Sequence, residues 1–317
     1  MKKLFLFLVL LLILFCAGTY IFIPSTLTVS STTSMLASEN GTARQVLEPN
    51  NWPRWWTYLH TDTSSPDRPL QLNFTVGSDS FRLTEKFYKS AKINISHQGR
   101  QIATELIVIP LSTDSTGIQW HYSEPSSMNP FKRFQQYRDA SKIKKNMDSV
   151  LLNLSAFLVK LQNVYGIPIT RTSITDTLFL SAKTVSLNYP HTPDIYALIK
   201  KIQAYAAKQG LKQTGSPIYN IMRVENKDFQ LMAAIPVDRA IPDQHDFVTK
   251  HMVRGSFIVT EVLGGEHAVD KAWQDLLLYF NDYRKTSMAI NFSMLITDRM
   301  YQPDSSRWIT RLYQPVY

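Results

Sequence analysis

The longest periodic segment of this chain constrains its fold more than any other feature. From Ile143 to Tyr165, apolar side chains recur at steps of three and four residues, which is the spacing of one face of an α-helix. Asn129 and Pro130 form a typical N-cap and first helical residue, and Gly166 ends the pattern. A helix of this length with an unbroken apolar face predicts a curved sheet for it to cover.

The residues before this helix favour strands. An alternating segment at Ser25–Met35 is rich in Thr, Ser and Val, and residues 37–58 favour two short helices because Pro53 interrupts a single one. Five more β-like runs follow, at Leu70–Val76, Phe81–Tyr88, Lys92–Gln98, Gln101–Pro110 and Gly117–Ser123. Successive strands joined by tight turns predict an antiparallel meander.

A strand, a helix pair, a meander and a long C-terminal helix, in that order, resemble the START-like (SRPBCC) family of polyketide cyclases and lipid-transfer proteins. The resemblance covers about residues 20–165. It is carried by the strand before Ser31, by NWPRWW at 51–56 and by MNPFKRFQQYRDASKIKKNM at 128–147. It implies a helix-grip fold, in which the long helix closes an antiparallel sheet over an apolar ligand cavity.

The second half of the chain repeats one arrangement of elements. A helix opens at Thr192-Pro193-Asp194, with an N-cap, a proline at the first position and an acidic first turn. A second helix follows Gly264-Gly265 and places Trp273 on its apolar face. Each helix stands among short β-like runs. The pattern is therefore β-α-β-β, twice.

This duplicated layout resembles the GyrI-like family, which also provides the effector-binding domain of multidrug-responsive transcription regulators. The resemblance covers about residues 167–317. It is carried by GSPIYNI at 215–221, MAAIPV at 232–237, the Gly-Gly turn before the Trp273 helix, and TRLYQPVY at 310–317. It implies an aromatic cleft between the two repeats, with a glutamate at its base, for bulky and often cationic apolar molecules. Some relatives are hydrolases that use this acid.

The chain departs from that family at the glutamate. Ser293 and Arg311 stand where the family commonly has its acids, although Glu261 or Glu225 could substitute in space. Without a buried acid, the cleft favours neutral or anionic ligands, and a hydrolase loses its acid or base. The elements that border the cleft carry six candidate ligand-binding residues, for which ordinary packing is the alternative: Tyr219, Trp273, Tyr279, Ser293, Trp308 and Arg311.

The N-terminus carries an uncharged apolar segment, Leu4–Ile23, behind two lysines. A helix of this length spans about 30 Å, which matches the hydrocarbon core of a bilayer. A cleaved signal peptide is the alternative, but residues 16–18 are a poor small-x-small site and the apolar run continues past them. We favour an uncleaved anchor at residues 1–23. The positive-inside tendency then places the N-terminus in the cytoplasm and the rest outside the inner membrane.

Charge and residue spacing limit the other function classes. Against 25 acidic side chains the chain has 34 basic ones, a net charge of +9. The basic residues at 142–145 flank the apolar stripe of a helix, and no helix-turn-helix precedes the second half, so we predict no nucleic-acid partner. Attraction to anionic lipid is more plausible. The single Cys and the absence of paired His motifs predict neither a metal nor a cofactor.

Together these features predict an α+β protein with an anchor (1–23), a START-like domain (24–165) and a GyrI-like domain (166–317). The predicted function is a membrane-anchored protein that binds a hydrophobic small molecule or lipid in two cavities. One alternative is a hydrolase or cyclase in which Glu261 or Glu105 reaches a cavity. The other is an interaction module whose cavities are filled by side chains. The Trp cluster at 51–56 fits a cavity mouth, a membrane interface or plain packing.

Overall fold

The computed structural model describes residues 2–56, 74–174, 178–224, 228–244, 246–252, 254–287 and 289–316. The chain divides into two units, Met1–Lys160 and Leu161–Tyr317. The predicted domain boundary near Gly166 lies a few residues beyond this division.

Unit 1 is a single antiparallel sheet with helices. Its helical segments are α1 (Lys2–Phe22), α2 (Glu39–Leu47), a 3₁₀ helix (Pro49–Arg54) and α3 (Pro130–Leu158). Its strands are β1 (Thr26–Met35), β2 (Phe74–Val76), β3 (Asp79–Lys86), β4 (Ser90–His97), β5 (Arg100–Pro110) and β6 (Thr116–Pro125). The sheet order is β1-β6-β5-β4-β3-β2, so five strands form a meander and β1 joins at its end.

The long helix packs as its periodicity predicts, but it ends early. Ile143, Met147 and Leu154 are almost fully buried, and the Asn129 side chain accepts hydrogen bonds from the first helical amides. The helix stops at Leu158, and a short helix α4 (Leu161–Tyr165) follows in unit 2. The apolar pattern of the sequence does not reveal this break. Leu161, Val164 and Tyr165 continue the helical spacing of apolar residues, although they pack in the core of unit 2.

Aromatic rings fill the interior of unit 1. Trp52 stacks on Trp56 with 5.2 Å between ring centroids, and Trp56, Phe81 and Trp120 continue the contact chain at 5.2 and 5.7 Å. The Trp120 indole nitrogen donates to the Thr104 hydroxyl at 2.7 Å. Of the three readings for the Trp cluster, plain packing agrees with this burial. The described residues of unit 1 thus hold side chains where the resemblance implied a cavity.

A buried polar cluster crosses the same interior. The Asp79 carboxylate contacts His97 Nδ1 at 2.5 Å and accepts from the Asn146 amide at 2.7 Å. On the other side of the imidazole, Asp139 Oδ1 lies 3.7 Å from His97 Nε2. Helix α3 supplies Asn146 and Asp139, and the sheet supplies the other two residues. The cluster therefore links the helix to the sheet by polar contacts.

The described residues of unit 2 form eight strands and two long helices. The helices are α5 (Thr192–Lys208) and α6 (Glu266–Asp282), with a short 3₁₀ helix at Ser305–Arg307. The strands are β7 (Thr170–Ile174), β8 (Leu178–Ser186), β9 (Ile218–Arg223), β10 (Phe229–Pro236), β11 (Val248–His251), β12 (Gly255–Leu263), β13 (Phe292–Leu295) and β14 (Ile309–Val316). All pairings between them are antiparallel. The predicted α+β class is confirmed.

The eight strands form one sheet in the order β11-β8-β10-β9-β13-β14-β12-β7. The repeats β8-α5-β9-β10 and β12-α6-β13-β14 occupy mirrored positions in this order. They meet where β9 pairs with β13, at Tyr219 opposite Ser293 and Ile218 opposite Met294. Each outer strand is exchanged, because β7 precedes the first repeat but pairs with β12, while β11 precedes the second but pairs with β8.

The two faces of this sheet differ in what covers them. Both helices pack on one face, where α5 and α6 each contribute to a core cluster that includes alternate strand residues such as Leu180 and Ile258. The third cluster consists of strand residues of the opposite parity, among them Phe179, Ile218 and Phe257. No helix residue belongs to that cluster. An apolar sheet face without a helix is therefore available for a cavity.

Candidate functional site

A cavity of about 380 Å³ opens on this helix-free face of unit 2. Its lining residues are mostly apolar and come from both repeats: Phe179, Ser181, Ile218, Tyr219, Asn220, Met232, Ala233, Ala234, Lys250, His251, Met252, Phe257, Ala289, Ile290, Phe292 and Pro315. Strands β8, β9 and β10 supply one side, and β12, β13 and β14 supply the other. The cavity therefore spans the seam between the repeats.

Aromatic contacts build one wall of the cavity. Phe292 stacks on Tyr313 with 4.8 Å between centroids and an angle of 10° between planes. Phe257 meets Phe292 edge-on at 6.0 Å. These rings come from three adjacent strands, so the sheet itself fixes their spacing. A preformed aromatic wall of this kind binds apolar ligands without reorganising.

The polar groups of the cavity are neutral or basic. Lys250 and His251 lie on the exchanged strand β11, and Asn220 and Ser181 add an amide and a hydroxyl. None of the sixteen lining residues named above is a carboxylate. A bound cation would therefore find no counter-charge within this lining, whereas an anionic group would find one at Lys250.

A smaller pocket of about 120 Å³ lies on the helix side of the seam. Tyr219, Asn220 and Phe292 line both pockets. Within the smaller one, the Trp273 indole nitrogen donates to the Ser293 hydroxyl at 3.2 Å. At its rim, burial together with the nearby Asp270 carboxylate raises the pKa of Tyr189 to about 12.

A buried arginine stands beside this smaller pocket. Arg299 is only 6% exposed, and its guanidinium donates to the hydroxyls of Thr192 and Thr310 at 2.9 Å each. It also hydrogen-bonds with Tyr219: burial raises the pKa of that phenol, while the Arg299 charge and Ser293 act in the opposite direction. The positive charge of Arg299 therefore lies close to the base of this pocket.

The structure brings three of the six predicted ligand-binding residues together. Tyr219, Trp273 and Ser293 line the smaller pocket, and Tyr219 also lines the larger one. The other three do not line either pocket. Tyr279 lies on α6 and is buried in the core between that helix and the sheet. The Trp308 ring packs against the Arg299 guanidinium, with 4.6 Å between the guanidinium carbon and the ring centroid. Arg311 lies exposed on β14. Arg299 and the residues of the larger cavity other than Tyr219 were not among the six predicted.

A signal for the larger cavity was present in the strands. Phe179, Ile218, Phe257 and Phe292 are apolar at positions that alternate with the residues facing the helices. Two helices cover only one sheet face, so a second apolar face indicates either a partner layer or a cavity. Lys250 carried no such signal, because its place beside β8 depends on the strand exchange.

The two described acids of the hydrolase alternative, Glu261 and Glu105, are not among the lining residues of either pocket. Glu261 pairs with the Arg311 guanidinium at 2.8 Å on an exposed stretch of β12 and β14. Glu105 is about half exposed, on the face of β5 opposite the buried Thr104 and Leu106. Glu225 lies outside the described residues. A hydrolytic mechanism thus obtains no acid or base from the two carboxylates whose positions are described.

Unit 2 also has a polar groove with its own lining residues. A groove of about 510 Å³ runs beside α5 near Gln203, Pro217 and Asp298, and its lining is more polar than that of the cavity between the repeats. In the described part of the chain, no group of three or more His, Cys, Asp or Glu side chains is placed to hold a metal ion.

No protein-family model matches the chain, and no curated protein sequence matches it. Solved structures similar to it include the C-terminal domain of EcmrR, at 14% identity and a TM-score of 0.42, over 48% of this chain and 98% of that domain. The structure of SAV2435 bound to tetraphenylphosphonium matches at 15% identity and a TM-score of 0.34, over 48% of this chain and 94% of that protein. A START superfamily protein from Mycobacterium smegmatis matches at 16% identity and a TM-score of 0.29, over 41% of this chain and 97% of that protein. The function must be inferred from the cavity.

Proposed function

We propose that this protein is a membrane-anchored binding protein for a hydrophobic or amphipathic small molecule, which it holds in the helix-free cavity of unit 2 for sensing, sequestration or transfer. The apolar cavity of about 380 Å³ carries this proposal. Its volume falls in the range of about 300–1,000 Å³ that is typical of small-molecule sites. Among the described residues of unit 1, aromatic side chains pack the space between the sheet and α3, so the proposal places the ligand in unit 2.

Affinity would come chiefly from apolar burial. At about 25 cal/mol per Å² removed from water, a ligand that covers the aromatic wall and Met232 gains most of its binding free energy there. The polar groups would orient the ligand. Since Lys250 is the charged side chain of fixed sign in the lining, the proposed ligand is neutral or anionic.

Anchoring is the second part of the proposal. Helix α1 has 21 residues, almost all exposed, and is long and apolar enough to cross a bilayer. A signal sequence meets the same criteria, so retention of α1 is itself proposed. We place the N-terminus in the cytoplasm and residues 24–317 outside it. A reporter enzyme fused to the C-terminus tests this topology, because only an extracytoplasmic reporter such as alkaline phosphatase would then be active.

A cavity-filling variant tests binding directly. Ala234 lies in the cavity wall and is 6% exposed, so Ala234→Phe would place a ring in the ligand volume. We expect the full-length variant in detergent to lose binding of a fluorescent fatty acid. Val185→Phe adds the same ring at an exposed position of β8 outside the lining and should bind normally. Equal binding by both variants would refute the proposed site.

A charge variant tests the ligand class. Lys250→Ala should weaken binding of the fatty acid about tenfold, a loss of about 1.4 kcal/mol, and leave its neutral methyl ester unaffected. Lys183→Ala, on the exposed part of β8, serves as the matched control. A lipophilic quaternary ammonium should bind worst to the unaltered protein. If it bound best, an acid outside the described lining would have to be involved. Nucleic acid has no part in this proposal, and that exclusion stays a prediction.

A further inference from the structure

Helix α1 does not leave unit 1 as a free tether. Its last third packs on the start of α3: the Phe15 ring lies 5.3 Å from the Phe131 ring and 5.7 Å from the Phe134 ring. The Tyr20 hydroxyl donates to the Met128 carbonyl. These contacts fix the end of the apolar segment against the first two turns of α3.

A buried arginine strengthens the same junction. Arg133 is 6% exposed and donates from Nε and a terminal nitrogen to the Ile23 carbonyl, at 3.2 and 2.5 Å. Its guanidinium also lies 5.0 Å from the centre of the Tyr20 ring. A cation at the C-terminus of α1 satisfies the last carbonyls of that helix. Ser126 adds hydrogen bonds to the carbonyls of Pro24 and Ser25.

The length of α1 determines what surrounds this junction. Only eleven uncharged residues, Leu4 to Leu14, separate Lys3 from the contact with α3 at Phe15. They span about 16 Å, roughly half of a hydrocarbon core of about 30 Å. For α1 to cross a bilayer, residues 15–22 must also lie within it. The contacting part of α3 must then enter the bilayer beside them.

The depth follows from the ring contacts. Phe15 lies eight residues before Ile23, which places it about 12 Å below the end of the apolar segment when the helix is upright. The rings of Phe131 and Phe134 are at most 5.7 Å above the Phe15 ring. Both rings therefore lie about 6 Å or more inside the hydrocarbon.

The exposed surface of α3 suits this position. Phe131, Phe134 and Tyr137 are between 45% and 57% exposed, and Met128 is 85% exposed. Further along the same helix, Arg138, Lys142 and Lys145 are exposed at spacings of four and three residues. Lys132 and Gln135 are also exposed in this stretch, and their long side chains can extend to the head groups while the aromatic rings lie among the acyl chains. The basic residues that follow Tyr137 then lie at the level of anionic head groups.

We propose that the start of α3, residues 128–138, inserts with α1 into the outer leaflet and seats unit 1 rigidly on the lipid surface. This inference rests on the proposed anchoring by α1. The occupant of the exposed aromatic surface is lipid, because the apolar segment that must lie in lipid passes through that surface. Two segments of unit 1, α1 and the start of α3, would then hold it in one orientation at the bilayer.

Single labels in vesicles test the insertion. In a Cys16→Ala background, each of Leu8→Cys, Phe134→Cys and Tyr88→Cys carries one environment-sensitive fluorophore. The full-length protein is reconstituted in phosphatidylcholine and phosphatidylglycerol, with or without brominated acyl chains as quenchers. We expect the labels at 8 and 134 to lose most of their emission. The label at 88 should keep its emission, since Tyr88 is 85% exposed at the opposite end of the sheet from α1.

The three labels separate the two proposals. Quenching at 8 without quenching at 134 would leave the anchor intact and overturn the insertion of α3. No quenching at 8 would overturn the anchor itself. If the label at 134 were shielded from aqueous iodide but not quenched by brominated lipid, a protein would cover this surface and the lipid proposal would be wrong. Phe131→Cys provides a second position if Phe134→Cys does not fold.

Discussion

The two sheets of this protein use their apolar faces differently. In unit 1, rings such as Trp120 and Phe81 fill the space between the sheet and α3, and a buried carboxylate at Asp79 is satisfied inside it. In unit 2, two helices cover one face and the other face encloses a cavity. An antiparallel sheet with an apolar face can therefore enclose either a packed interior or a cavity. Which of the two it encloses depends on whether side chains from the chain itself occupy the apolar space.

The largest expected effect concerns the filled interior. Trp120 is completely buried, so Trp120→Ala should lower the free energy of unfolding by about 3–5 kcal/mol. Urea unfolding of the full-length protein in detergent, followed by circular dichroism, measures this loss. Tyr88→Ala removes an exposed ring from the same unit and should change the stability by about 0.5 kcal/mol or less. A small loss for Trp120→Ala would mean that the unit 1 interior tolerates a cavity.

An intermediate effect is expected on the cavity side. Met232 lines the cavity and is only partly buried, so Met232→Ala should cost about 1 kcal/mol of stability or less. Its affinity for the ligand should fall about tenfold, because the thioether no longer contacts it. Met222→Ala, on the adjacent β9 and outside the lining, should bind as well as the unaltered protein. If Met232→Ala lowered the stability as much as Trp120→Ala does, the cavity side of unit 2 would be as tightly packed as the interior of unit 1, and the proposed difference between the two sheets would be wrong.

The smallest effect concerns pH and the helix side of unit 2. His191 Nδ1 lies 2.8 Å from the Glu266 carboxylate, and this hydrogen bond raises the pKa of His191. Burial favours a higher pKa for Glu266, but hydrogen bonds from Thr192 and His191 outweigh it and hold that pKa below its usual value. The stabilisation from charged His191 is complete below its ordinary pKa of about 6.5 and is lost as the pH rises through the raised value.

The temperature at the midpoint of thermal unfolding should therefore decrease slightly when the pH is raised from mildly acidic to alkaline values. The change is small because His191 is solvent-exposed and water screens the pair. Glu266→Gln should remove this dependence. A decrease of the same size in the Glu266→Gln variant would assign the pH effect to another group.

The sequence predicts those parts of the fold that depend on neighbours along the chain. The N-cap predicted at Asn129 and the alternation in β1 mark element starts that agree with the structure to within a residue. The N-cap predicted at Thr192 is one residue late, because the structure has His191 as the N-cap and Thr192 as the first helical residue. The helix predicted to reach Tyr165 was too long, because periodicity does not report which core receives a side chain. Most of the residues that line the cavity were not predicted, for a related reason: Lys250 lies opposite Phe179 only through a pairing between distant strands.

The exchange of β7 and β11 has a consequence for synthesis. Thr170 pairs with Val259, 89 residues later, and β8 receives its outer partner only when β11 has been made. During synthesis or export, the first repeat therefore has an open strand edge at β8 until β11 has emerged, and another at β9 until β13 has emerged. Such long-range pairing slows folding, and an open edge invites association with other chains. This stretch of translation is where the nascent protein would need a chaperone most.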